Sequence, residues 1–228
     1  MAEIVVVRHG QAAFASDDYD RLTEVGWEQA RLLGEYFFGA EQQFDAVFSG
    51  TMRRHRETLS GIHDAFSLST ITLPAAQETS ALNEYDFHRL VDSYIEMYGN
   101  KLDGVSVDLA NASSFYRFLR LALLAWSRDE LSNVAEPWSA FEQRVKGILA
   151  TLSAVKGRVL VVTSGGPVSA MLREALNLSV AAMIASNLQT KNTGVTRYFT
   201  RGEQFSLNMF NAVPHLEMAP HRHLISYT

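Results

Sequence analysis

An α/β fold around a mostly parallel sheet is predicted by three stretches of this 228-residue chain. Ile4-Val5-Val6-Val7, Phe44-Asp45-Ala46-Val47-Phe48 and Arg158-Val159-Leu160-Val161-Val162-Thr163 are apolar, largely β-branched runs of strand length. Each stops at a polar cluster, and helical periodicity follows each one. Strand, helix, strand, helix in succession is the order that builds a parallel sheet with crossover helices.

The first strand ends in Arg8-His9-Gly10-Gln11. Arg8 and His9 would point to opposite faces of a strand, so the chain must turn as it leaves the sheet, and Gly10 permits the turn. A guanidinium beside an imidazole suits chemistry on phosphate, because the arginine fork holds oxygens while the imidazole attacks phosphorus. The plain structural alternative is a histidine bonded to a neighbouring carbonyl. Residues 11–21 are polar and read as a loop over the strand end. Thr23 is placed to cap a helix over 24–38, with Ala30, Leu33 and Phe37 on one face and Trp27 close to it.

The second strand leads through Ser49-Gly50-Thr51 into a helix carrying Met52, His55, Leu59, Ile62 and Phe66 on its apolar face. Arg53, Arg54 and Arg56 crowd the first two turns of that helix, where the dipole favours anions. A phosphate held by the free N–H groups and Arg53 would compensate, with Arg54 and Arg56 read as solvated. Residues 69–73 read as a short strand closed by Pro74. Leu82-Asn83-Glu84-Tyr85-Asp86-Phe87-His88 gathers carboxylates, aromatics and a histidine in a loop. Residues 90–131 are helical in pattern and rich in aromatics, as expected of an inserted lid subdomain that packs on itself. A helix over 140–153 presents Phe141, Val145, Ile148 and Leu152 to the sheet.

The third strand runs into Ser164-Gly165-Gly166-Pro167, where glycines and a first-turn proline leave backbone N–H groups open to an anion. A helix over 168–176 follows, and 194–200 with 205–210 predict a hairpin at a sheet edge. His221 and His223 in the tail read as solvated residues rather than metal ligands. Three strand ends that grip anions lie along one edge if the sheet is parallel, which is the edge where open α/β folds bind ligands. No P-loop, dinucleotide fingerprint, zinc-helix motif or paired-aspartate nucleophile competes.

Composition narrows the partners. Apolar residues make up 47% and the net charge is −5, so one large domain is expected and no overall basic field would gather nucleic acid or a membrane surface. The 20 cations favour arginine, which suits bidentate oxyanion contacts. Cysteine is absent, which removes disulfide scaffolds, thiolate zinc sites and cysteine nucleophiles. The chain opens directly into a strand, and no run nears the roughly 18 apolar residues of a membrane span. A cytoplasmic protein acting on a phosphorylated small molecule is the expectation, with neither nucleic acid nor membrane as partner.

Arg8-His9-Gly10-Gln11 (an RHG motif), Leu22-Thr23 followed by Gly26 and Gln29-Ala30, and Ser49-x-x-x-Arg53 with Thr58 resemble the histidine phosphatase superfamily, also called phosphoglycerate mutase-like. Leu82 to Phe87, Asn192-Thr193, Asn211 and His215-Leu216 are similar to further features of it. The resemblance implies a single three-layer α/β/α domain with a mainly helical cap inserted over about 85–136, neither metal nor cofactor, and hydrolysis of a phosphomonoester through a phosphohistidine. His9 would attack phosphorus; Arg8, Arg53, Gln11, Ser164 and Gly165 would hold the phosphate; Glu84 would protonate the leaving oxygen, with Asp86 as alternative acid and a surface carboxylate as the plain alternative for Glu84.

The sequence departs from the family at one telling place. Where the family has a second histidine, the run Thr163-Ser164-Gly165-Gly166 has Ser164. A hydroxyl can donate to phosphate but carries no positive charge, and loss of such a donor typically costs on the order of 100- to 1000-fold. Three outcomes stay open: slowed or activated-substrate hydrolysis; compensation by His55, His88 or His215; or a catalytically impaired member that binds phosphorylated ligands or a protein partner. Ala15 replaces a common asparagine and Gly50 a common proline. The segment after Glu84 lacks the basic, glycine-marked loop of sugar-phosphate mutases, which disfavours the mutase alternative, and the aromatic insertion suggests a substrate with an apolar portion.

Overall fold

The computed structural model describes residues 2–13, 18–66, 72–102, 105–106, 112–202 and 204–227. β1 (Ala2–Arg8) is followed by α1 (Glu24–Gly39), β2 (Ala46–Ser49) and α2 (Arg53–Phe66). β3 (Ala76–Glu78) leads by a short 3-10 turn to α3 (Phe87–Tyr98), the pair β4 (Lys101–Leu102) and β5 (Val105–Ser106), α4 (Ala112–Trp126) and α5 (Trp138–Ala154). β6 (Gly157–Thr163), α6 (Gly165–Leu176), α7 (Val180–Asn187), β7 (Val195–Arg201) and β8 (Gln204–Ala212) complete the order.

The main sheet runs β3-β2-β6-β1-β7-β8. β3, β2, β6 and β1 are parallel, while β7 pairs antiparallel with β1 and β8 antiparallel with β7, giving the expected edge hairpin. Alternation along the strands makes the layers. Val5, Val7, Val47, Leu160 and Val162 face Leu33, Phe37, Ile62 and Phe66 of α1 and α2 on one side. Ile4, Val6, Phe48, Val159 and Val161 face Phe141, Val145, Val168 and Met171 of α5 and α6 on the other. A strand that is buried on both faces has no polar positions to spare, which is why its sequence is a continuous apolar run.

Caps behave as their residue types require. Thr23 caps α1 by accepting from the Gly26 N–H at 3.1 Å. Asp86, the alternative acid, instead caps α3 by accepting from the Arg89 N–H at 2.9 Å. Its carboxylate is thus committed to a helix end.

Two expectations need correction. Of the strand expected over 69–73, residues 69–71 lie outside the described residues, as does Ala15; the described third strand comes after Pro74, at Ala76–Glu78. The 90–131 segment is not a subdomain packed only on itself. It contains the small β4–β5 pair between its helices, and Phe115, Phe118 and Trp126 join one continuous core with Tyr85, Trp138 and Phe141. The Trp126 ring lies 5.3 Å from that of Tyr85 and 5.4 Å from that of Phe141. An aromatic stripe buries most area by reaching the nearest apolar surface, here the sheet's own covering helix.

Candidate active site

The carboxyl ends of β1, β2 and β6 meet at one edge because their registers align: Arg8 opposite Thr163, and Ser49 opposite Val162. Backbone bonds carry the pairing beyond the strands. The His9 N–H donates to the Thr163 carbonyl at 2.9 Å and the Gly50 N–H to the Val162 carbonyl at 3.0 Å. At this edge a cleft opens, lined by Arg8, His9, Glu84 and an aromatic wall that includes Tyr19, Tyr85, Phe115 and Tyr116.

His9 is held from several sides. Its Nδ1 lies 2.7 Å from the Gly10 carbonyl oxygen, which can only accept, so Nδ1 carries the proton and Nε2 the lone pair. Burial and the positive charges of Arg54 and Arg8 hold the imidazole well below its ordinary pKa, so it is neutral. The Asn192 amide and the Thr193 N–H both donate to the His9 carbonyl, at 3.2 and 3.3 Å. The Gly10 N–H donates to Thr58 Oγ1 at 3.0 Å. Gly10 cannot be replaced by a residue with a side chain, since a Cβ there would sit 2.5 Å from the Gly26 carbonyl oxygen. The ring is therefore fixed and neutral, with the bare nitrogen at Nε2.

Two guanidinium groups charge the site, one half-buried and one fully buried. Arg8 donates from Nη1 to the carbonyls of Thr190 and Tyr227, and its buried Nε–H has no partner among the described residues. Burial lowers its pKa against the opposing pull of Glu84, but an arginine remains charged.

The second guanidinium is a correction. Arg53 does not enter the site: its side chain is 52% exposed and pairs with Asp18 and Glu57 at 2.6 Å each. Arg54, expected to be solvated, is 1% exposed; it pairs with Asp20 at 2.7 Å, lies over the Tyr19 ring, and keeps a buried Nε–H without partner among the described residues. Its charge acts on both His9 and Glu84. One helical position is about 100° of rotation, and Arg54 shares its face with Thr58 and Ile62, both fully buried. That i, i+4, i+8 row was the sequence signal for Arg54.

Glu84 sits across the cleft, half-buried, with its carboxylate oxygens 3.1 and 3.2 Å from the donating Gly166 N–H. Burial raises its pKa, with Arg54, the Gly166 bond and Arg8 opposing. The carboxyl thus favours its protonated, proton-donating form at higher pH than usual. Its loop is pinned from three elements. Asn83 bridges to the Thr51 N–H and hydroxyl at 2.8 and 2.7 Å. Thr163 Oγ1 donates to the Leu82 carbonyl, and Arg144 donates to the carbonyls of Ala81 and Asn83 while forking onto Glu136.

The remaining expected residues are distributed unevenly. Gly165 lies close to Arg8, where a Cβ would fall 3.6 Å from its Nε and 2.6 Å from Asn187 Oδ1. Gln11 accepts from Thr23 Oγ1 at 2.8 Å through Oε1 and does not line the cleft. Ser164 is fully buried, and its Oγ lies 2.7 Å from Nε2 of His55. His215 is bonded to Thr193 Oγ1 and His88 is exposed against Tyr19 and Phe87, so neither approaches Ser164 in this way. Tyr227, which the sequence did not single out, lines the cleft as well; nothing in the local order of residues signals that its backbone carbonyl will accept from an arginine.

The model of the histidine phosphatase superfamily (branch 1) matches residues 4–213. The chain belongs to the histidine phosphatase superfamily. Solved structures agree in fold. Phosphoserine phosphatase from Entamoeba histolytica is 18% identical, with a TM-score of 0.65, over 95% of this chain and 100% of that one. Bacillus stearothermophilus YhfR is 17% identical at a TM-score of 0.68, covering 95% and 100%. The alpha-ribazole phosphatase from Shigella flexneri is 21% identical at 0.63, covering 92% and 96%. No curated protein sequence matches the chain. Among the described residues no helix is long and apolar enough to cross a membrane.

Proposed function

We propose that this superfamily member is a metal-independent phosphomonoester hydrolase that works through a phosphohistidine at His9. The observation that carries the proposal is the His9 imidazole: neutral, its Nδ1 proton fixed on the Gly10 carbonyl, facing a cleft charged by Arg8 and Arg54. In the first step Nε2 attacks phosphorus, the ester P–O bond breaks, and protonated Glu84 gives its proton to the leaving oxygen. In the second step Glu84 takes a proton from water as that water attacks the phosphohistidine, which releases orthophosphate and restores both groups. The unpartnered Nε–H groups of Arg8 and Arg54 are suited to the non-bridging oxygens, whose negative charge spreads in the transition state.

The cleft favours an ester with one phosphate and a flat or apolar alcohol portion. Beyond Arg8 and His9 its described lining is Tyr19, Tyr85, Phe87, Phe115, Tyr116 and neighbours, so once Arg8 and the buried Arg54 are assigned to one phosphate no arginine or lysine of that lining is left for a second. Arg89, which follows the Glu84 loop, is committed to Glu96 and the Asn133 carbonyl. A mutase needs a grip on a second anionic group, so hydrolysis is favoured over phosphoryl shuttling. The segment from α3 to α4 supplies Phe87, Phe115 and Tyr116 and would act as the cap.

Incubation with p-nitrophenyl phosphate tests the proposal. The wild type should release nitrophenolate and leave an acid-labile, base-stable phosphoryl group on the protein after a rapid quench, and His9→Ala should do neither. Equal turnover by wild type and His9→Ala would overturn it, in favour of a protein that binds phosphorylated ligands without processing them.

A further inference from the structure

We propose that His55 is a positioning residue of the phosphoryl site, acting through Ser164 as a two-residue relay that supplies the donor a lone serine hydroxyl could not hold in place. This rests on the hydrolase proposed above. Ser164 is next to the residues that fix the site: Thr163 accepts from the His9 N–H, and Gly165 approaches Arg8. Ser164 itself is 0% exposed and its Oγ is 2.7 Å from His55 Nε2. His55 is 0% exposed, and its ring centroid lies 5.7 Å from that of His9. An imidazole enclosed this completely, beside a nucleophile and bonded to a hydroxyl at the end of β6, is a costly feature for a fold to retain without a role.

The relay runs from His55 Nε2–H to Ser164 Oγ and from the Ser164 hydroxyl to a non-bridging phosphoryl oxygen. The relay requires the proton on Nε2 and a bare Nδ1; Ser164 then spends a lone pair on the histidine and keeps its own proton for the phosphate. His55 Nδ1 meets no hydrogen-bond partner, although the Gly50 backbone beside it favours the charged form. Burial and the charges of Arg54 and Arg56 outweigh that and keep the ring neutral, as a donor rather than an acid.

Gly50 makes the arrangement possible. A Cβ at position 50 would lie 2.1 Å from His55 Nδ1 and 2.6 Å from Cε1, so any side chain there would collide with the ring. Gly50, His55 and Ser164 therefore form one unit drawn from the β2–α2 loop, α2 and the end of β6, and a change in one is felt by the other two.

The test is steady-state hydrolysis of p-nitrophenyl phosphate by full-length variants whose folding is checked by circular dichroism. His55→Ala should lower kcat about 100-fold, the range for loss of one oxyanion donor, with KM changed less than about threefold. His55→Ala combined with Ser164→His, which places an imidazole in the vacated space, should recover kcat to within about tenfold of wild type. Gly50→Ala, which leaves both polar groups present but displaces the ring, should fall with His55→Ala. His55→Gln serves if His55→Ala does not fold, since its amide can still donate to Ser164, and it should keep kcat within about tenfold. A folded His55→Ala within threefold of wild type, or a double variant no faster than His55→Ala, overturns the relay. If wild type and His9→Ala are equally inactive, the hydrolase itself fails, and calorimetry with orthovanadate then decides: the relay stands only if His55→Ala and Ser164→Ala weaken binding equally and non-additively.

Discussion

Glu84 and Gly166 are fitted to each other: both carboxylate oxygens accept from the Gly166 N–H, and a Cβ at position 166 would fall 2.1 Å from Glu84 Oε1. The glycine is what lets the carboxyl reach a backbone donor at the start of α6.

Gly166→Ala should therefore displace the carboxyl, and press on the Tyr85 ring whose Cε1 would lie 2.6 Å from the new Cβ, without weakening the helix itself. Alanine in a helix is worth about 1 kcal/mol more than glycine, so α6 itself should not suffer. Thermal melting should show a folded protein, while kcat for an aryl phosphate should fall about 100-fold, in line with loss of general acid catalysis. A variant with unchanged kcat would mean that Glu84 is not the proton donor.

Arg53 and Arg54 should separate cleanly in a kinetic comparison. Arg54→Ala removes a buried charge beside His9 and Glu84 and should lower kcat/KM about 100- to 1000-fold. Arg53→Ala removes an exposed pair with Asp18 and Glu57 and should leave kcat/KM within about threefold. The reverse order would place phosphate on the outer face of α2.

The pH profile follows from two opposite shifts. Glu84 must be protonated to serve as the acid, and burial raises its pKa above the ordinary 4.5, so kcat/KM should decline as pH rises through that raised value. His9 must be neutral, and it is held well below 6.5, so activity should persist far into the acid range. Activity should therefore be highest below the raised Glu84 value and fall above it. Glu84→Gln should abolish the alkaline decline while lowering the maximum. An alkaline decline that survives this substitution would assign it to another group.

Stability should respond to pH through the buried histidines. His9 and His55 are held well below 6.5 and His215 is pushed down to about 3, so each binds protons more readily in the unfolded chain. Their contribution is fully present above 6.5 and is lost as pH falls toward the folded values. The melting temperature should drop across that window, and His215→Asn should flatten part of the drop. A melting temperature constant from pH 7 to 4 would contradict these environments.

The aromatic wall should select substrate by its alcohol portion. Tyr116→Ala should raise KM for p-nitrophenyl phosphate by about tenfold, in keeping with the loss of one buried ring, and leave inhibition by orthophosphate nearly unchanged. Equal effects on both would mean that Tyr116 acts on the phosphate rather than on the leaving group.

The sequence by itself determined the three central strands β1, β2 and β6, the edge hairpin, the cap of α1 and the polar ends at the cleft, because burial on both faces and helix capping act over a few residues and leave a local mark, whereas the short exposed β3 and the β4–β5 pair leave none. It also brought Arg8 and His9 forward, since they stand at a strand end, while Glu84 came forward over Asp86 only through the family resemblance. Only the tertiary structure decided which arginine turns inward. Arg53 and Arg54 have the same chemistry and adjacent positions, and a rotation of about 100° on α2, fixed by packing against α1 and β6, separates them. The same holds for His55 and Ser164, which are 109 residues apart. Their bond depends on the register of two strands, the pitch of a helix and the missing side chain of Gly50, and none of these distances is written in the local order of residues.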